Sequence, residues 1–142
     1  MSNSNPMADR NQRVIADFRA NEGKVGGPFA GRPVLLLTST GARSGKRHTT
    51  PLVYTTDGDR LVIIASKGGA PTNPAWYHNL VANPRATIEV GSETFDVNVT
   101  VARDGERDRL FDAQVAVMPF FAGYQQKTTR RIPVLVLERV AA

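Results

Sequence analysis

Four side chains in one short stretch carry the most conspicuous local chemistry of this sequence. Arg43, Lys46, Arg47 and His48 follow an apolar run and are punctuated by Gly41 and Gly45. In such a loop, backbone N–H groups and cationic side chains can converge on an anion such as a phosphate. A solvated, charged hairpin tip has the same composition, so charge alone leaves the two readings level. A triphosphate-binding loop is excluded, because Gly41 and Gly45 have one residue too few between them and Arg47 stands where a Ser or Thr would hold magnesium. The second candidate is Ala65-Ser66-Lys67-Gly68-Gly69-Ala70-Pro71, whose glycines let the backbone approach a flat ligand. Trp76 and Tyr77 follow it. An aromatic pair at a helix start is more often core packing than a stacking platform, and its place beside a glycine-rich turn narrows that margin.

Other chemistries lack their residues. There is no cysteine, which removes disulfides, thiolate metal sites and thiolate nucleophiles together. The only histidines are His48 and His78, no His-Glu-x-x-His pattern occurs, and the acidic residues do not cluster near either, so no metal site is expected. Ser44 and Ser66 lack the Gly-x-Ser-x-Gly frame of a hydrolase nucleophile. Demanding chemistry would therefore have to come from a bound cofactor.

The elements that must position these loops can be read from the apolar pattern. Val34 to Thr38 is a continuous apolar run of strand length, and Gly41 to Lys46 follows it as a loop. Pro51 to Tyr54 and Leu61 to Ala65 flank Asp57-Gly58, a turn signal that predicts a hairpin of those two runs. Ala86 to Val90 and Thr94 to Val101 flank Gly91-Ser92, with Phe95, Val97, Val99 and Val101 alternating strictly with polar residues. Ile132 to Leu137 supplies a sixth strand, with Pro133 tolerated at its start. Helices are expected over Met7 to Asn21, from a cap at Asn73-Pro74 to Asn83, and over Asp104 to Val117. The first carries Val14, Ile15 and Phe18 among Arg10, Arg13 and Arg19, and could pack on the body or rest on an anionic bilayer. Strands joined mostly by hairpins, with helices inserted, predict a mainly β (α+β) fold: a six-stranded antiparallel barrel with three or four helices rather than a doubly wound sheet. Residues 1–25 read as N-terminal helix and flexible lead-in, and residues 26–142 as one barrel domain.

The 142 residues suit one domain, and a chain of this size buries roughly 68 to 70% of its unfolded surface, so it needs no staples. Eighteen Lys and Arg against thirteen Asp and Glu give a formal charge of +5, which favours an anionic partner. No apolar run approaches the roughly 18 residues of a membrane span, and the first residues lack a secretory core, so a cytoplasmic protein is expected.

At this point the chain becomes recognisable. Gly31 to Thr38, Thr40-Gly41-Ala42-Arg43-Ser44-Gly45, Ala65 to Gly69, Asn73-Pro74-Ala75-Trp76-Tyr77-His78-Asn79-Leu80 and Thr129-Arg130-Arg131-Ile132-Pro133-Val134 occur in the order of the deazaflavin-dependent nitroreductase and quinone reductase family of actinobacteria. The chain resembles that family from about Gly26 to Glu138. The resemblance implies a split barrel that binds the reduced 8-hydroxy-5-deazaflavin coenzyme F(420) and passes its hydride to flat electron-poor acceptors: quinones, α,β-unsaturated lactones and enones of the coumarin type, and nitroaromatics. It implies that Ala42, Arg43 and Ser44 hold the coenzyme's phosphate and that His48, Thr49, Thr50, Pro51, Leu52 and Val53 line the next part of its tail. Ile64, Ala65, Ser66 and Lys67, with Ala75, Trp76, Tyr77, His78 and Asn79, would cradle the ring. Ser66 and Tyr124 are the implied catalytic candidates. Two of three tyrosine positions of the nitro-drug-activating branch are Met118 and Phe121 here, which weakens the expectation for nitro compounds while leaving the coenzyme site intact.

Physically the assignment is consistent, since an anionic tail would meet Arg43, Lys46, Arg47 and Lys67. Met118, Phe120 and Phe121 would form an apolar wall suited to a small planar hydrophobic acceptor. The alternatives are an FMN-binding split-barrel reductase, a coenzyme carrier without turnover, and a non-catalytic basic barrel that binds an anion or nucleic acid. Nucleic acid is disfavoured because aromatic residues make up only 7% and the cations gather in one loop. Monomer and homodimer are both compatible with open strand edges.

Overall fold

The apolar run at Val34 to Leu37 shows no alternation because both of its faces are covered. In the computed structural model, which describes residues 6–26 and 29–140, Leu35 and Leu37 point into the interior with Ile63, Ile88, Val97, Leu135 and Leu137. Val34 and Leu36 point the other way, beneath Ile15 and Phe18 of the N-terminal helix. The same two-sided burial explains Leu61 to Ile64 and Val134 to Leu137, whose outward residues Val62, Ile64, Val134 and Val136 pack under Leu110, Phe111, Met118 and Phe121. By contrast Thr94, Asp96, Asn98 and Thr100 are exposed while Val97 and Val99 are buried, so that strand keeps the expected one-sided alternation.

Seven antiparallel strands form one curled sheet: β1 (Val34–Thr40), β2 (Arg47–Val53), β3 (Thr55–Asp57), β4 (Arg60–Ile64), β5 (Arg85–Val90), β6 (Glu93–Val101) and β7 (Val134–Arg139). Their order across the sheet is β2-β1-β5-β6-β7-β4-β3. Among the described residues four α-helices surround it: α1 (Pro6–Ala20), α2 (Ala75–Ala82), α3 (Asp104–Val117) and α4 (Phe120–Gln126). The half-barrel expected from the sequence is therefore present, with one strand more than predicted.

The extra strand comes from a hairpin drawn one element too early. Pro51 to Val53 does not pair with β4; it is the end of β2, which lies against β1 with Val34 opposite Val53 and Thr40 opposite Arg47. The partner of β4 is β3, with Thr55 opposite Val62 and Asp57 opposite Arg60 across the Gly58 turn. Two further corrections concern caps and loops. Arg47 and His48, expected in the loop, begin β2. Asn73, expected to cap α2, does not: Pro74 holds the cap position without a side-chain cap bond, and the Asn73 amide oxygen accepts from Arg130 instead.

Val14, Ile15 and Phe18 are 5%, 6% and 1% exposed. The apolar face of α1 is thus occupied by the sheet, and Arg19 fixes the helix end through two hydrogen bonds to Glu89 of β5, at 3.0 and 2.9 Å. Of the glycine-rich lead-in, Gly27 and Pro28 lie outside the described residues. Among the described residues, no helix is long and apolar enough to cross a membrane.

The β3–β4 corner is tied to α3 by charge. Asp57 accepts from Arg109 at 3.1 and 3.2 Å and pairs with Arg60 beside it. The Arg109 bond first, then that of Arg60, pulls the Asp57 carboxyl down to about 2. Because its folded value is depressed, Asp57 contributes stability above the unfolded carboxylate range near ~4 and loses it as pH falls towards about 2. D57N should therefore melt below the wild type at about pH 6, with the gap narrowing towards about pH 2, as thermal unfolding at the two ends of that range would show.

Candidate functional site

Between β2, the turn after β4 and the aromatic helix α4 lies a cavity of about 600 Å³. Thr50, Pro51, Leu52 and Val53 of β2 form one wall, and Ile64, Ser66, Lys67 and Gly68 form the floor with Pro74 and Trp76. Phe120, Phe121 and Tyr124 close the far side, while Arg10, Asn11, Phe29 and Arg32 come from α1 and the lead-in. The three rings of α4 pack on one another with centroids 4.9, 5.7 and 5.3 Å apart. Spacings of one, three and four residues put them on one side of the helix.

The floor depends on an unusual backbone. Lys67, Gly68 and Gly69 all have positive φ, at 48°, 63° and 83°. Gly69 cannot be replaced without movement, since a Cβ there would lie 2.7 Å from the Tyr124 carbonyl oxygen and 2.9 Å from Lys127 Cβ. Gly68 faces open space, with no atom within 4 Å of such a Cβ, so bare backbone is presented to the cavity.

Arg130 holds this turn from below. Its Nε donates to the Ala70 carbonyl at 2.8 Å, Nη1 to the Ala65 carbonyl and Asn73 Oδ1 at 3.1 and 2.7 Å, and Nη2 to the Ser66 carbonyl at 2.6 Å. Burial pushes its pKa down from the ordinary value, as expected for a cation met by neutral carbonyls rather than a carboxylate. Arg130 is itself placed by Gln125, which donates to its carbonyl at 2.8 Å and accepts from Arg107 at 2.8 Å. Arg107, buried over the Phe111 ring, also donates twice to the Ile132 carbonyl, at 3.1 and 2.9 Å.

The basic loop lies at the other end of β2. Gly41 N donates to the Lys46 carbonyl at 2.7 Å, Gly45 N to the Gly41 carbonyl at 3.0 Å, and Lys46 N to Ser44 Oγ at 3.1 Å, closing a tight turn. Arg43 and Lys46 stand exposed on it. Asn79 of α2 braces the loop, accepting from Ala42 N at 3.0 Å and donating to Ser39 Oγ at 3.4 Å. Arg47 turns away: it donates to Thr40 Oγ1 at 3.2 Å and Thr87 Oγ1 at 2.8 Å, on the β5 side. No cluster of three or more His, Asp or Glu able to hold a metal exists among the described residues.

Comparison with known proteins identifies the family. The family model of the F420H(2)-dependent quinone reductase matches residues 10–139. The chain belongs to this family. An F420H(2)-dependent quinone reductase of Mycobacterium tuberculosis is 41% identical over 128 residues, covering 87% of this chain and 86% of that protein. Among solved structures, an F420-H2 dependent reductase (FDR-A) superposes with a TM-score of 0.69 at 37% identity, covering 80% of this chain and all of the other. Another, described as a domain-swapped dimer, reaches 0.71 at 33% identity, covering 92% and 93%. The protein is therefore an oxidoreductase whose family depends on reduced coenzyme F(420).

The residues present fit such a coenzyme. Trp76 and the α4 rings give flat apolar walls, Gly68 leaves bare backbone, and the cations lining the cavity, Arg10, Arg32 and Lys67, meet no lining carboxylate. Of the positions implied by the quinone reductase resemblance, Thr50, Pro51, Leu52, Val53, Ile64, Ser66, Lys67, Trp76 and Tyr124 line the cavity together. Ala42, Arg43, Ser44 and His48 do not; they sit at the basic loop and the start of β2. Thr49 is engaged across the strands, its Oγ1 2.8 Å from Thr38 Oγ1. Ala65 is fully buried. Ala75 and His78 are exposed on α2, and Tyr77 lines a separate cleft with Arg103 and Arg131. Met118 is buried and also stands outside the main cavity. The positioning role of Arg130 escaped the sequence reading, although a charged pair immediately before Ile132-Pro133 was a signal that something other than the strand needed it.

Replacing Arg130 with methionine leaves the Ala65 and Ala70 carbonyls and the Asn73 amide oxygen without this donor, and the Ser66 carbonyl with Gly69 N alone, a loss of about 1–3 kcal/mol per buried group at most. R130M should lower the melting temperature, and amide exchange at residues 66–73 should accelerate more than exchange in β1.

Proposed function

We propose that the cavity binds the deazaflavin ring of the coenzyme, that the 41–46 loop receives its anionic tail, and that a quinone is reduced against the α4 rings. The observation that carries this reading is the placement of a cationic loop and an aromatic cavity at opposite ends of one strand. From Arg47 to Val53, β2 spans about 20 Å at ~3.3 Å per residue, a rail along which an extended coenzyme can lie. Arg43 and Lys46 supply exposed charge at one end, and Lys67 supplies it at the other.

When bound, the coenzyme supplies the hydride. The chain's own part is to orient and to exclude water: Trp76 and Pro74 support one side of the cavity, and Phe120 and Phe121 roof it with apolar surface. Ser66 and Tyr124 contribute the hydroxyl groups near the floor and the roof, and Tyr124 is the candidate proton donor to the reduced acceptor. Quinones fit this apolar, flat site best, with enones and unsaturated lactones as related acceptors. Nitroaromatics fit less well, since Phe121 brings no hydroxyl to the cavity and Met118 lies outside it.

Homodimerisation is supported by the neighbour described as a domain-swapped dimer. Peripheral contact with an anionic bilayer through α1 would rest on its exposed cations such as Arg13, because Val14, Ile15 and Phe18 face the sheet.

Trp76, only 8% exposed and on the cavity wall, reports binding directly. Titration with oxidised coenzyme F(420) should quench its fluorescence, whereas FMN should not. R43A and K67A should each weaken coenzyme binding roughly tenfold, a loss of ~1.4 kcal/mol. Y124F should bind normally and turn over a quinone roughly 10- to 100-fold more slowly. Equal quenching by FMN, or full affinity in both R43A and K67A, would remove the proposal.

A further inference from the structure

The arginines of this chain are held in several ways. Arg19, Arg60, Arg85, Arg109, Arg131 and Arg139 are each paired with a carboxylate. Arg10 and Arg32 have no ion-pair partner among the described residues. They are held by aromatic faces instead, Arg10 5.5 Å from the centroid of Phe29 and Arg32 4.5 Å from that of Phe120. A ring holds a guanidinium through its face and leaves its in-plane N–H donors free. For Arg10 the consequence is visible, since its Nε is buried without a hydrogen-bond partner. Its one side-chain contact among the described hydrogen bonds is a long one, 3.4 Å to its neighbour Asn11.

Both arginines line the main cavity, on the side formed by α1 and the lead-in, across from the Trp76 floor. They are separate from the loop at Arg43 and Lys46, to which the anionic tail of the coenzyme is assigned. No carboxylate lines the cavity to neutralise them. A buried, unpartnered donor is costly unless the cavity's occupant satisfies it, and the exposed guanidinium of Arg32 adds positive charge to the same cavity.

We propose that Arg10 and Arg32 form an oxyanion-binding pair for the acceptor, selective for phenolate-type oxygen. The inference rests on the reading of this cavity as the place of reduction. There, a hydride that the reduced coenzyme would supply, itself being oxidised, adds to a ring carbon of the quinone. Its electron pair forms the C–H bond, the ring C=C π pair shifts towards the carbonyl carbon, the C=O π pair moves to oxygen, and the enolate so formed carries one negative charge. Guanidinium N–H groups hydrogen-bond to that oxygen until a proton reaches it from a hydroxyl group or water. The charge is absent from the neutral quinone, so the pair favours the reduced acceptor over the unreduced one. It also predicts preference for acceptors that already carry an acidic hydroxyl on the ring.

The test uses 4-nitrophenol, a phenol that titrates near neutrality and whose phenolate absorbs in the visible. The full chain without coenzyme is titrated with it on both sides of that transition, following Trp76 fluorescence and the phenolate band. The wild type should bind phenolate at least tenfold more tightly than phenol, and R10Q and R32Q should each cut that preference at least fivefold. R32Q guards against misfolding of the R10Q helix, as Arg32 is exposed. Equal affinity for the two forms, or a preference abolished by K67A but untouched in both R10Q and R32Q, would overturn the proposal. The coenzyme titration is read separately: if phenolate selectivity persists in a protein that binds no coenzyme, the reduction site is wrong and the anion pair stands.

Discussion

The two edge strands of the sheet are joined by a single residue. β2 ends at Val53 and β3 begins at Thr55, yet they stand at opposite ends of the order β2-β1-β5-β6-β7-β4-β3. In a flat sheet the edges would be about 29 Å apart at ~4.8 Å per strand, whereas the step over Tyr54 covers at most ~7 Å. The sheet must therefore curl until its edges nearly meet. Tyr54 is anchored at this seam by its N–H to the Pro33 carbonyl at 3.2 Å and by packing on the interior cluster. The seam leaves β2 with a ladder partner on one side only, and its other side is where the cavity opens.

Once the curl is fixed, the helices have little freedom. α3 and α4 cover the outward residues of β4 and β7, α1 covers those of β1, and α2 plugs the interior with Trp76 and Leu80. This brings α4 over the turn that follows β4, and the contact is close enough that Gly69 admits no side chain under the Tyr124 carbonyl. Two guanidinium groups, Arg107 buried and Arg130 half-buried, stabilise the junction. Arg107 donates to the Ile132 carbonyl, and Arg130 to the carbonyls of Ala65, Ser66 and Ala70. A long side chain with five donors in a fixed fork suits this task, which a lysine could not match.

Much of this could be read from residue order. Strict alternation in β6 and unbroken apolar runs in β1, β4 and β7 reported which faces were covered, and Asp104 to Val117 gave α3 with both ends correct. The hairpin at Asp57-Gly58 was also legible, but its strand was not. Thr55-Thr56-Asp57 is too short and polar to register as apolar periodicity, so the stronger Pro51 to Val53 signal took its place. The glycine-rich turn and Trp76 marked the floor of the cavity. Arg10, Asn11, Phe29 and Arg32 did not announce themselves, because nothing local says that α1 and the lead-in reach over β2. Tyr77 and His78 show the converse error: adjacency in sequence to Trp76 does not carry them into the cavity, since consecutive helical residues point about 100° apart.

Lys67 shows how the site is kept ready for a ligand. A residue with a Cβ held at a φ of 48° costs about 1–2 kcal/mol relative to an ordinary conformation. Glycine would relieve that strain, and glycine follows at the next two positions, so the side chain at 67 is what the strained position provides. The left-handed conformation places the lysine on the cavity lining while Gly68 keeps the adjacent backbone bare. Its offset is local: Gly69 N returns to the Ser66 carbonyl at 2.9 Å, Ala70 N to the Lys67 carbonyl at 3.1 Å, and Arg130 grips the carbonyls on either side. The turn is thus shaped by the chain's own contacts, and a ligand bound against it need not supply the energy to organise it.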